Sequence, residues 1–247
     1  MVKYFLNSSN LESGEIYMNK RVYNKTFGKI VRTFGFLLIF ISSTFLSAKL
    51  ILGYQDLPLI GNVLPYANMI NDFVAPYPLI DEYALLGLVA GLIMLLWAIR
   101  RGLILRVFLT VVLVFVLIEG TISQTSPLFP ITLASPAWVA TVLGIVSPLI
   151  DLLNGISPYI IPGLAVGVPF LLWALFNNKK PGRFSLFMLR LGSTTLFLAV
   201  AMFAAKQFID SLAVLSIFNT INIVLYLITY LLFVVGSLFG VLGFARK

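Results

Sequence analysis

The chain has 247 residues, of which 60% are hydrophobic and 11% charged, and its formal net charge is +8. A soluble domain carries about 25% charged residues, so these proportions exclude a water-soluble globule, and the absence of cysteine excludes a disulfide-stapled one. There is no histidine either. Haem ligation, thiolate metal sites and histidine- or cysteine-based catalysis therefore lose their usual side chains, and no cofactor or metal is expected.

A membrane crossing needs about 20 mostly apolar residues. The first 32 residues precede any such stretch and read as a cytoplasmic, basic, amphipathic segment. In it Lys20, Arg21, Lys25 and Lys29 interleave with Val22, Tyr23, Phe27 and Ile30, a pattern suited to a helix on an anionic leaflet. A signal peptide is not expected, because mixed polar residues such as Asn7, Ser8, Asn10, Glu12 and Glu15 stand where its apolar core belongs.

The apolar runs then predict six crossings, at 33–54, 83–99, 103–122, 160–176, 185–205 and 223–244. The last run starts at 212 and would measure about 50 Å as one helix, longer than a bilayer core of about 30 Å. The spacing therefore assigns 212–222 to a separate interfacial piece. The connections 55–82 and 123–159 are Pro-rich yet apolar, unlike soluble loops. They predict short amphipathic or re-entrant helices on the outer side, since irregular backbone survives at membrane depth only when shielded. The expected fold is an all-α polytopic membrane protein: a six-span domain over 33–247, with six transmembrane helices in three two-helix units (33–102, 103–182, 185–247) and apolar amphipathic outer-side helices.

All 17 basic residues except Lys49 and Lys206 fall before the first span, in the 2–3 and 4–5 connections or the starts of the spans that follow them, or at the C-terminus. Under the positive-inside rule this puts both termini in the cytoplasm of a cell's inner membrane. It also accounts for the positive charge, so no nucleic-acid partner is expected. The three-unit division draws on internal similarity. Gly61, Val63, Pro65 and Asn71 match Gly144, Val146, Pro148 and Asn154 at a constant offset of 83 residues. The sequence Leu95-Leu96-Trp97-Ala98 matches Leu171-Leu172-Trp173-Ala174, and Asn219 stands in a fainter third copy.

Ionisable groups within spans are functional suspects. Lys49, Glu119 and Lys206 lie near the outer ends of the three inbound spans, where they either anchor to headgroups or line a vestibule in which Glu119 pairs with a lysine. Asn71, Asn154 and Asn219 either ring a central axis, where amides would bind a polar solute, or cap short outer helices. Trp97 and Trp173, with Arg100, Arg101, Lys179 and Lys180 after them, read as membrane-interface anchors. Gly87 with Gly91, and Gly236 with Gly240, have the spacing that lets helices approach closely.

No nucleotide loop, nucleophile elbow or zinc-protease motif is present. The first expectation is a non-catalytic integral subunit of a larger membrane assembly, partnered by lipid and by other membrane proteins or its own copies. It would scaffold its partners or shape a translocation path. The alternative is a transporter or channel for a small neutral or weakly polar solute. A lipid-modifying enzyme using Asp72, Asp81, Glu82 and Asp151 ranks third.

Overall fold

The computed structural model describes residues 8–57, 60–98, 103–122, 128–131, 136–154, 157–177, 184–206 and 212–245. Among these the regular elements are helices: α1 (Ser8–Gly53), α2 (Leu64–Val74), α3 (Pro78–Ala98), α4 (Leu103–Ile122), α5 (Ala137–Asn154), α6 (Ser157–Phe176), α7 (Phe184–Lys206) and α8 (Leu212–Ala245). Prolines open two of them. Pro65 lies in the first turn of α2 and Pro78 is the first residue of α3, positions where a missing N–H leaves no helical bond unmade.

Four helices hold stretches long and apolar enough to cross a membrane: Phe27–Gly53, Pro78–Ala98, Phe184–Ala205 and Ile217–Gly243. Shorter apolar stretches occupy Leu103–Phe115 of α4 and Val166–Phe176 of α6. The outer connections contain the expected short helices, α2 and α5.

Two boundaries differ from the sequence expectation. The basic segment and the first span form one uninterrupted helix, 46 residues long and about 69 Å from end to end. The last apolar run is likewise one helix of 34 residues with no break at Asn222. The physical reason is the same in both. No proline lies in either helix, and α8 has no glycine before Gly236, so nothing interrupts the backbone bonds where hydropathy alone would divide the run.

The helices pack in chain order into a closed ring. α1 lies against α3 and α8, α8 against α7, α7 against α6, α6 against α4, and α4 against α3. α2 rests on α1, and α5 touches α6. One buried apolar cluster draws residues from all six ring helices, among them Ile39, Leu92, Leu113, Leu172, Leu189 and Phe233. A smaller one, Ala48, Ile51, Ile60 and Ala67, fixes α2 on α1.

Lipid tails are as apolar as leucine, so close packing rather than escape from water must hold such helices together. The α1–α3 seam shows how. Gly35 faces Gly91, Ser42 faces Gly87 and Lys49 meets Asp81, so every seventh residue of α1 marks the contact while α3 runs the other way. A Cβ on Gly91 would stand 2.9 Å from the Gly35 carbonyl oxygen and 3.1 Å from the Ile39 amide nitrogen. The α7–α8 seam repeats the device. A Cβ on Gly236 would come within 3.0 Å of the Ser185 carbonyl, and Thr195 and Thr229 share a hydroxyl hydrogen bond of 2.8 Å across the seam. Gly240 belongs to the third seam, where Phe36 of α1 covers it.

Candidate functional site

The polar chemistry of the described residues gathers at three places: the end where α1 finishes and α3 starts, the interior of the bundle, and the end where α3 gives way to α4 and α6 to α7. The first holds an ion pair. Lys49 Nζ lies 3.0 Å from Asp81 Oδ2, and both side chains stay about one-third exposed. The Lys49 ammonium also lies 5.4 Å from the Phe45 ring centre. The lysine thus finds a carboxylate on α3, in the first turn. Asp81, one of the four acids considered for lipid chemistry, is occupied by that contact. Asp72 is exposed on α2 and Glu82 half-buried on α3.

Below this end, residues 128–131 enter the ring without helical structure. Leu128 and Phe129 are buried. The Tyr230 hydroxyl of α8 donates to the Leu128 carbonyl, and the Phe129 ring meets the Tyr230 ring edge-on at 5.5 Å. Ile131 lies over Gly53 at the end of α1. An irregular segment survives inside an apolar bundle because its carbonyl is supplied with a donor. Nearby, burial raises the Tyr54 hydroxyl above the ordinary tyrosine value. Trp138 of α5 donates from Nε1 to the Tyr83 hydroxyl at 2.8 Å, tying α5 to α3.

Buried hydroxyls of Ser193, Thr229 and Ser237 return to carbonyls four residues back in their own helices, the usual way such groups are satisfied within a span. Ser43 Oγ and Asn222 Oδ1 are different. Both are buried with no hydrogen-bond partner among the described residues. A buried polar atom in that state is unfavourable by about 1–3 kcal/mol.

At the opposite end two tryptophans each carry an arginine. The Arg106 guanidinium of α4 lies 5.4 Å from the ring centre of Trp97 on α3. Arg190 of α7 lies 4.3 Å from that of Trp173 on α6. Trp97 also donates from Nε1 to Thr110 Oγ1 at 3.1 Å, and Thr110 in turn donates to the Arg106 carbonyl at 2.7 Å.

The remaining sequence candidates scatter. Asn71 sits half-buried in the last turn of α2, where its carbonyl accepts from the Ala75 amide. Asn154 is the last residue of α5, whereas Asn219 is exposed inside the long α8. Asn71 and Asn154 thus lie near the ends of their helices and Asn219 within one. The matching prolines do not correspond, since Pro65 opens α2 while Pro148 lies within α5. Among the matched segments the two Leu-Leu-Trp-Ala runs do coincide, each near the end of a returning helix. Glu119 lies in α4 and Lys206 ends α7; their side chains, like that of Asn154, lie outside the described residues. Arg100, Arg101, Lys179 and Lys180 lie outside them altogether.

Sequence reading missed the Tyr230–Leu128 contact, for which no local signal exists. The arginine on each tryptophan was missed as well, although a signal exists: the same four-residue motif precedes, in both copies, an arginine near the start of the next helix. No protein-family model, curated protein or solved structure matches the chain, so function must be argued from these residues.

Proposed function

We propose that the protein is a non-catalytic, multi-span component of a larger membrane assembly, crossing the bilayer six times with α1, α3, α4, α6, α7 and α8. The ring contacts support six crossings, and α4 and α6, at 20 residues each, are about 30 Å long, the thickness of a bilayer core. The bias of basic residues supports cytoplasmic termini in an inner membrane.

One observation carries the assembly reading. α2 binds α1 through Ala67 and its neighbours, and the other side of this short helix presents Tyr66, Met69 and Phe73, with Phe73 75% exposed. Asn68 and Asp72 interrupt that apolar stripe, a mixture of aromatic anchors and polar groups suited to a protein surface. The glycine pairs add nothing to this reading, because the chain uses them on its own seams.

The test is extraction in a mild lipid-preserving detergent, followed by native mass measurement and identification of co-purifying proteins. A stoichiometric set is expected, lost when Tyr66, Met69 and Phe73 are all replaced by serine in a chain that still folds. A lone monomer overturns the reading.

A second reading, conduction of a small neutral solute, has its own support. The ring closes in chain order, Ser43 and Asn222 each bury a polar atom with no partner among the described residues, and residues 128–131 bury Leu128 and Phe129 in the same bundle. Solute flux in reconstituted liposomes that rises in Tyr230→Phe, where that segment loses its hydrogen bond, would favour it over the first.

A further inference from the structure

Arg106 and Arg190 occupy helices that are otherwise apolar at this end, and a charge at membrane depth needs a counter-charge. Among the described residues neither arginine has a carboxylate within ion-pairing distance; the ion pair found is Lys49–Asp81, at the opposite end. The sequence offers little else. The acids other than Glu12 and Glu15 belong to the outer half of the chain's hydropathy pattern. Arg106 Nε is buried with no acceptor among the described residues. Each guanidinium is instead laid against an indole on the preceding helix. Such stacking holds the plane of the group while leaving N–H donors at its edge.

We propose that these two Trp–Arg pairs bind the phosphate of an anionic phospholipid, one where α3 meets α4, the other where α6 meets α7. A phosphodiester accepts two parallel N–H bonds from an arginine and supplies the missing charge. The surroundings select a lipid over a soluble phosphate. Ile104, 86% exposed, and Val107 flank Arg106 on α4, while Phe187 and Leu191 flank Arg190 on α7. These apolar side chains face outward from the bundle, where acyl chains would lie against them. In sequence, Arg100 and Arg101 precede α4 and Lys179 and Lys180 precede α7, a basic bias that favours an anionic leaflet. The proposal does not depend on protein partners.

The tryptophans themselves report on the sites. The chain has 3, so a Trp138→Phe variant leaves only Trp97 and Trp173 to fluoresce. This protein is reconstituted in vesicles containing either brominated phosphatidylglycerol or brominated phosphatidylcholine at equal fractions. Quenching several-fold stronger with the anionic lipid is expected, falling by about fivefold in apparent affinity for each Arg→Gln replacement at 106 and 190. Equal quenching by the two lipids overturns the proposal without any arginine variant being needed. A preference that survives in a folded Arg106→Gln/Arg190→Gln protein also overturns it. Loss of the preference on adding inorganic phosphate assigns the sites to a soluble phosphate compound and overturns the lipid reading.

Discussion

Gly35 of α1, Gly87 and Gly91 of α3, Gly192 of α7 and Gly236 and Gly240 of α8 stand against a neighbouring helix, whereas Gly144 of α5 and Gly167 of α6, like Gly28 and Gly243, face open space. The first four helices are joined by backbone approach, hydroxyl contacts and an ion pair. α4 meets its neighbours less intimately and turns Ile104, Phe108 and Val111 outward. The difference separates two uses of an apolar helix. One side of the ring is specified by shape, because glycine lets two backbones come close enough for dispersion contacts to accumulate. The other side is apolar because lipid or a partner must lie against it.

The sharpest way to break this comparison is to add bulk on each side. Gly91→Leu places a side chain against the backbone of α1, which cannot give way as a side chain could. The expected loss is about 3 kcal/mol, read as a large drop in thermal unfolding temperature in detergent. Gly167→Leu, meeting nothing, should leave that temperature unchanged or slightly higher. Equal losses at both positions would remove the distinction between the two sides.

Tyr230→Phe tests whether the inserted segment is held from α8. Loss of the bond to Leu128 should destabilise by about 1 kcal/mol. It should also speed thiol labelling of a cysteine placed at Ile131, an experiment kept clean by the lack of native cysteines. Unchanged labelling would show that packing of Phe129 alone holds the segment. The smallest effect is expected at the outer ion pair. Lys49→Met should change stability by no more than about 0.5 kcal/mol, because a pair one-third exposed competes with water and salt.

These regions also show which features sequence patterns could reach. The boundaries of α4, α6 and α7 follow the apolar runs closely, because charge and proline flank those runs. The continuity of α8 through Asn222 was not legible from hydropathy, since the length of an apolar run says nothing of where its backbone bends. The lysine at 49 was recognisable as a candidate, but its partner was not. Asp81 is far from it in sequence, and only the seven-residue seam of α1 on α3 brings the two together.

By itself, the sequence determined that the protein is helical, that it belongs to a membrane, and which short outer segments would fold as apolar helices. Those properties are local: they depend on composition, period and breakers within a run of about 20 residues. The tertiary structure decided the ring order, the partners of the glycines, the Tyr230–Leu128 contact and the stacking of Arg106 and Arg190 on tryptophan. Each of these joins residues from different helices. Apolar helices of similar composition attract lipid and one another almost equally, so only the fit of particular surfaces selects a neighbour.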